Sequence, residues 1–215
     1  MARVGEYLKA EPIAAIYSSP RKRALEGAGI LAEQMLAQDA GVPLPDGHGS
    51  EREKVLLPDG HGSEGEDVST RVSTLHAGVR APRADESTSV QVIADLREID
   101  FGDFEGLAYD EIATRYPELY RQWMEAPTEV RFPNGESFCE MRSRVLEAFD
   151  AIEREWKDQT VAIISHGGVN RILIAWALQI PDKHLFRVAQ DYAAVNLLTI
   201  EDGVPRVELM NHRLA

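Results

Sequence analysis

The sequence is poor in cysteine, in long apolar runs and in positive charge. Cys139 is the single cysteine among 215 residues, which excludes an internal disulfide framework and indicates a reducing compartment. No apolar run approaches the ~18–20 residues that a membrane-spanning helix needs. The N-terminus also lacks the basic, apolar and small-residue pattern of a secretory signal. We therefore expect a cytoplasmic protein with no membrane partner.

The charge balance is acidic. Lys and Arg together number 23 against 36 Asp and Glu, and the formal net charge is -13. This balance argues against a nucleic-acid partner, because neutralising nucleic-acid phosphates requires clustered cations. A small phosphorylated metabolite remains compatible with it, since nearby charges dominate over a screening length of about 8 Å.

Most of the chain alternates between strand-like and helix-like patterns. Apolar, β-branched runs predict strands, and apolar stripes at helical spacing predict helices packed on a sheet. The predicted strands are 13–18, 90–93, 161–164, 195–200 and 206–210, and the predicted helices are 1–10, 21–38, 109–116, 117–125, 137–156 and 169–178. This order predicts one α/β domain, residues 1–215, with a mostly parallel sheet.

The segment from about residue 39 to residue 89 interrupts that pattern. It is rich in Gly, Pro, Ser, Asp and Glu, and the heptapeptide PDGHGSE occurs at 45–51 and again at 58–64. Two short copies are too few for a solenoid. We therefore interpret 39–89 as a flexible, low-complexity insertion within the domain.

The strongest functional signal is the run VAIISHGGVNRIL, which starts at Val161. Its buried strand ends in a serine and His166, and two glycines then let the backbone turn into a helix. Ligands of open α/β sheets bind beyond the carboxyl ends of strands, and anions favour helix N-termini. His166 and Gly167 are therefore candidate phosphate-binding residues.

A second strand end, YSSPRKRA at 17–24, carries three cations. The planar fork of arginine suits bidentate binding of phosphate. Arg23 begins the apolar stripe of the predicted helix and can face the same sheet edge as His166. Arg21 and Lys22 are expected to be solvated.

An acidic loop, LREIDFGDFEG, occupies 96–106. A carboxyl group beside a phosphate has a raised pKa through like-charge repulsion, and this suits a general acid that protonates the leaving oxygen. On chemistry alone Glu98, Asp100, Asp103 and Glu105 are all candidates.

Together these motifs resemble the histidine phosphatase (phosphoglycerate mutase-like) superfamily. SSPRKRA is similar to the motif whose arginine binds phosphate, which falls on Arg23. LREIDFGDFEG is similar to the acidic loop whose first glutamate donates the proton, which falls on Glu98. ISHGGVNRIL is similar to the second histidine motif, which falls on His166, and PNGES at 133–137 also matches.

The resemblance implies a three-layer α/β/α sandwich and phosphoryl transfer through a phosphohistidine, with no metal and no cofactor. Glu98 and His166 would be catalytic, and Arg23, His166 and Gly167 would bind phosphate. The implied activity is hydrolysis of a small phosphate monoester of unspecified identity. A phosphoglycerate mutase and a non-catalytic phosphate-binding or interaction module are the alternatives. The oligomeric state is open, with a homodimer as one alternative.

The family's nucleophile lies in an Arg-His-Gly motif after the first strand. In this sequence neither that strand nor that motif precedes the first predicted helix. The resemblance therefore implies that an interior strand, the nucleophilic histidine and one arginine are missing. We expect an incomplete gene product with impaired activity. Replacement by His48 or His61 is disfavoured, because no apolar strand leads into either. A strand at Arg71–His76 that fills the gap is the other alternative, and it would bring His76 to the site.

Overall fold

A computed structural model describes residues 2–8, 12–39, 71–76 and 89–214. The helices are α1 (Ala2–Leu8), α2 (Lys22–Asp39), α3 (Tyr109–Arg115), α4 (Pro117–Glu125), α5 (Phe138–Glu155) and α6 (Gly167–Ala177). The strands are β1 (Ile13–Ser18), β2 (Arg71–His76), β3 (Val90–Val92), β4 (Thr160–Ser165), β5 (Val195–Glu201) and β6 (Val204–His212). Short 3-10 helices lie at Ala94–Leu96, Gly102–Phe104 and Asp182–Arg187. Within these ranges, no helix combines the length and the apolar composition needed to cross a bilayer.

The strands form one six-stranded sheet in the order β3-β1-β4-β2-β5-β6. β1 runs parallel to both β3 and β4, and β2 runs parallel to β5. β2 is antiparallel to β4, and β6 is antiparallel to β5. β1 and β4 are buried along their whole length, which explains why both read as continuous apolar runs rather than alternating ones.

Helices cover both faces of the sheet, so the predicted three-layer α/β/α architecture is confirmed. On one face α1 and α2 pack against Ile16 and Ile164 of the central strands. On the other face α5 and α6 pack against Tyr17 and Ile163. The buried positions of α5 recur at helical spacing: Phe138, Met141, Val145, Phe149 and Ile152.

The buried stripe of α2 is narrow. Ala24, Ala28 and Leu31 are buried against the sheet, whereas Leu25 is 37% exposed and Leu36 is 48% exposed. Small side chains thus fill much of the contact with the sheet, and larger ones at the edges of the stripe stay exposed. Tyr7 of α1 is likewise exposed.

A separate aromatic cluster supports the loop that follows β3. Phe104 packs edge-on against Phe132, with the ring centroids 5.4 Å apart. Trp123 of α4 contacts the same Phe132 ring at 5.5 Å and lies parallel to Tyr109 at 5.7 Å. Offset and edge-to-face pairs of this kind add to the free energy of apolar burial. The cluster therefore fixes the outer half of the acidic loop against α3 and α4.

β2 corrects the expectation that the sheet lacks an interior strand. It lies between β4 and β5, so the ladder of β4 is paired on both sides. Its direction is antiparallel to β4, with Arg71 opposite Ser165 and Leu75 opposite Val161. His76 therefore lies about 16 Å along the strand from the level of Ser165, at about 3.3 Å per residue. The hypothesis that β2 brings His76 to the site is wrong.

The rest of the predicted insertion lies outside the described residues, apart from its two ends. Residues 40–70 and 77–88 belong to it, and they include His48 and His61. The prediction of a flexible, low-complexity segment there stays a prediction.

The N-terminus of α5 is fixed by a capping box. Ser137 Oγ accepts a hydrogen bond from Glu140 N at 3.3 Å, and Glu140 Oε2 accepts one from Ser137 N at 2.8 Å. The same carboxylate forms an ion pair with Arg131. Arg131, assisted by the Ser137 N–H, lowers the pKa of Glu140 to about 2. The beginning of α5 is thereby defined by charge as well as by hydrogen bonds.

We predict that stability falls in acid as Glu140 becomes protonated. Because its pKa is lowered on folding, its contribution is fully present above the unfolded pKa of about 4.3 and is lost as the pH falls towards 2. Carbon-13 titration of the side-chain carboxyl should give a pKa of about 2, and Arg131→Met should move it up. A midpoint near 4.3 in the unsubstituted protein would contradict the assignment.

Candidate phosphate-binding site

The site begins where β1 and β4 end side by side. Ser18 is paired with Ile164, and Ser19 N donates a hydrogen bond to Ile164 O at 3.0 Å. Because the two strands are parallel, the residues that follow both of them emerge at one edge of the sheet. As the sequence predicts, this edge brings the SSPRKRA segment next to His166.

His166 is 3% exposed and precedes the first residue of α6. Its Nε2 lies 2.7 Å from Ser19 Oγ. Its Nδ1 lies 3.1 Å from Nη2 of Arg23 and 3.3 Å from Nε of Arg23. The Arg23 side chain comes from the first turn of α2 and is exposed.

These contacts assign the protonation of the imidazole ring. A guanidinium group has donors and no acceptor, so Nδ1 must accept from Arg23. The ring is then neutral, with its proton on Nε2, and Nε2–H donates to Ser19 Oγ. A serine this close to a histidine has the spacing of a nucleophile and its base. Here the imidazole lone pair faces Arg23, so His166 cannot take the proton of Ser19.

Glu98 lies against the first turn of α6. Its Oε2 accepts a hydrogen bond from Gly168 N at 3.0 Å, and its Oε1 accepts one from Ile99 N at 3.1 Å. The structure thus places the Glu98 carboxylate on Gly168, which lies two residues along the chain from His166 in the first turn of α6.

The other acidic candidates shape the loop instead. Asp100 Oδ1 accepts from Gly102 N at 2.9 Å, and the Asp103 carboxylate accepts from Asn134 Nδ2 at 3.0 and 3.1 Å. Glu105 Oε1 accepts from Phe101 N at 3.3 Å. Their partners lie in the acidic loop and the facing turn, whereas Glu98 alone of the four is bonded to α6 within the described residues.

The two cations beside Arg23 face solvent, as the sequence predicts. Arg21 and Lys22 are both exposed. Lys22 Nζ lies 3.7 Å from Glu26 Oε1, one helical turn along α2. Their side chains therefore lie in solvent and along the surface of α2.

Several residues of the site escaped the sequence reasoning. Ser19 orients His166, and Ser165 Oγ donates to Leu96 O at 2.8 Å, which ties β4 to the start of the acidic loop. Arg144 and Glu136 form an ion pair behind that loop, with Arg144 Nε 2.6 Å from Glu136 Oε1. A polar residue at a strand end is the signal that could have drawn attention to Ser19 and Ser165.

The nucleophile expected from the family resemblance is not supplied by His184 or His212. His184 lies in the 3-10 helix Asp182–Arg187, after the C-terminus of α6. His212 lies opposite Val195, three strands from β4 and thus about 14 Å away, and its ring contacts Tyr7 at 5.6 Å. In the described ranges, no cluster of His, Cys, Asp and Glu is arranged to hold a metal ion.

The sheet order, the helices on both faces and a histidine at the end of β4 define a phosphoglycerate mutase-like α/β/α domain. A family model of the histidine phosphatase superfamily (branch 1) matches residues 57–213. The chain belongs to this superfamily.

Among its relatives is the bifunctional protein Rv2228c of Mycobacterium tuberculosis, 37% identical over 123 residues, which are 57% of this chain and 34% of that protein. Another is phosphoserine phosphatase 1 of Hydrogenobacter thermophilus, 29% identical over 54% of this chain and 56% of that protein. The chain thus spans between a third and three fifths of the length of these curated relatives. The solved structure of Bacillus stearothermophilus YhfR is similar with a TM-score of 0.69 and 25% identity, covering 99% of this chain and 81% of that one.

We predict that Gly168→Ala destabilises the protein. A Cβ at Gly168 would overlap Glu98 Oε1 and lie 3.0 Å from Met141 Cε, so Glu98 must leave the turn. The crowded atoms end flexible side chains that can move, so the expected loss in urea denaturation is that of the displaced Glu98–Gly168 hydrogen bond, about 0.5–1.5 kcal/mol. Gly29→Ala is the matched control, because a Cβ there meets nothing within 4 Å inside α2. It should stabilise by about 0.5–1 kcal/mol. Equal effects of the two substitutions would contradict the crowding at Gly168.

Proposed function

We propose that this domain binds a phosphate monoester at the edge of the sheet where β1 and β4 end. The observation that carries the proposal is the pairing of Arg23 with a neutral His166 at the N-terminus of α6. Arg23 would hold phosphoryl oxygens through its planar fork. The Nε2–H of His166, which now donates to Ser19 Oγ, would donate to a phosphoryl oxygen instead. Gly167 opens the helix, where first-turn amides and the dipole favour anions.

Glu98 is proposed as the general acid. Its carboxyl group lies on the first turn of α6, beside the place where the phosphoryl group would be held. In its protonated form it would pass its proton to the ester oxygen as that P–O bond breaks and a nucleophile, the family's histidine or water, bonds to phosphorus, so that an alcohol leaves rather than an alkoxide. The relative named phosphoserine phosphatase 1 supports a small phosphate monoester as the class of substrate.

We further propose that the 215-residue chain turns over such esters slowly. The family's reaction requires a histidine nucleophile in line with the leaving oxygen. Two observations support the proposal: His184 and His212 lie away from the site, and Ser19 is not activated by His166. These observations favour one second candidate, a phosphate-binding module without catalysis.

Calorimetric titration tests the binding step. Inorganic phosphate and phenyl phosphate should both bind, and Arg23→Met or His166→Ala should weaken binding about 10–100-fold. That range corresponds to the ~1.5–3 kcal/mol of a hydrogen bond to a charged group. Arg21→Met is the matched control, because it removes an equal charge from an exposed position and should leave affinity within about twofold. Equal losses for Arg21→Met and Arg23→Met would contradict a specific site.

Turnover is measured separately with p-nitrophenyl phosphate. Slow hydrolysis, together with phosphate binding, is the expected result. Rapid hydrolysis that disappears in His166→Ala would overturn the proposed slow turnover. It would not contradict the proposed binding site. Binding without any hydrolysis would favour the non-catalytic module.

A further inference from the structure

We propose that Arg144, oriented by Glu136, is the positioning residue that holds Glu98 against α6. The inference rests on the proposed function in one respect, the role of Glu98 as the proton donor. Arg144 lies on α5, behind the acidic loop and away from the place proposed for the phosphoryl group. It would therefore act through Glu98.

The pair of Arg144 and Glu136 is nearly buried and bidentate. Arg144 Nε lies 2.6 Å from Glu136 Oε1, and Nη2 lies 2.7 Å from Oε2. The two side chains are 11% and 9% exposed. This parallel arrangement fixes the plane of the guanidinium group, so its remaining N–H groups point in a set direction.

Those remaining donors are directed at the backbone that leads into Glu98. Nη1 donates to Asp95 O at 2.6 Å and to Arg97 O at 2.8 Å, and Nη2 donates to Glu98 O at 3.2 Å. Ser165 Oγ donates to the intervening Leu96 O. Four consecutive carbonyl groups, from 95 to 98, thus accept from side chains.

Glu136 holds the chain on the other side of Glu98. Its Oε2 accepts from Asp100 N at 3.4 Å, and its backbone N donates to Asp100 O at 2.9 Å. The turn before it packs tightly on the loop, since a Cβ at Gly135 would lie 2.5 Å from Asp100 O. The backbone is therefore fixed on both sides of Glu98.

The carboxylate of Glu98 depends on this backbone for its direction. Its two hydrogen bonds come from main-chain N–H groups, of Gly168 and of its own neighbour Ile99. If the 95–98 carbonyl groups lose Arg144, the backbone can rotate and the carboxylate leaves Gly168. Lysine would not replace arginine, because a single ammonium group cannot span three carbonyls and a carboxylate.

The alternative is a purely structural ion pair. Buried ion pairs often add little to stability, and apolar replacements can be neutral, so a change in melting temperature would not separate the two accounts. The amide proton of Gly168 does separate them, because it reports whether the Glu98 carboxylate is in place.

The experiment follows the Gly168 amide in proton–nitrogen correlation spectra of the 215-residue chain. Glu98→Ala should move the Gly168 proton upfield, since the carboxylate acceptor is lost. Arg144→Met should move it in the same direction by at least half as much, and Arg144→Lys should not restore it. The double variant Glu98→Ala, Arg144→Met should add no further shift, because both changes act on one hydrogen bond.

Arg142→Met is the matched control. Arg142 lies on the same helix, is 42% exposed and pairs with Asp182 at 3.3 Å, so its removal should leave the Gly168 resonance unchanged. If Arg144→Met does not fold, Glu136→Gln replaces it, since the amide keeps the shape and removes the charge. An unshifted Gly168 proton in a folded Arg144 or Glu136 variant would overturn the inference. Phosphate affinity, measured in the Arg23 and His166 variants, tests the proposed function independently.

Discussion

The parallel pairing of β1 with β4 is the constraint on which the candidate site depends. Both strands are buried over their full length, and their ends are level, with Ser18 opposite Ile164. A shift of β1 along β4 would move the end of one strand away from the end of the other at this edge of the sheet. The pairing therefore decides that Ser19 and Arg23 meet His166, although 143 positions separate Arg23 from His166 in the sequence.

Electrostatics in this protein are local rather than global. The chain carries a formal net charge of -13, yet Arg23 lies directly on the ring of His166. Because the guanidinium group can only donate, it keeps the imidazole neutral and makes Nε2 a donor. A second arginine, Arg144, is nearly buried. Glu136 balances its charge, and its N–H groups donate hydrogen bonds to the backbone of the acidic loop. Acidic composition is thus compatible with the proposed phosphate-binding edge.

Much of the fold and part of the site could be predicted because local patterns determine them. Continuous apolar runs identified β1 and β4, and the chemistry of Arg23, Glu98 and His166 could be placed at strand ends and on a loop. Tertiary contacts determine the rest. The acidic loop offers four similar carboxylates, and only the approach of α6 singles out Glu98. The direction of β2 could not be predicted, because the apolar–polar alternation of residues 71–76 is the same whichever way the strand runs.

A crystal structure of the chain with orthovanadate tests the central claim most directly, because vanadate is a phosphate analogue that reports position as well as binding. The account predicts vanadate at the N-terminus of α6, within hydrogen-bond distance of the Arg23 guanidinium and of His166 Nε2, with Ser19 Oγ released from that nitrogen. Vanadate bound at another place, or absent from this edge at saturating concentration, would contradict it.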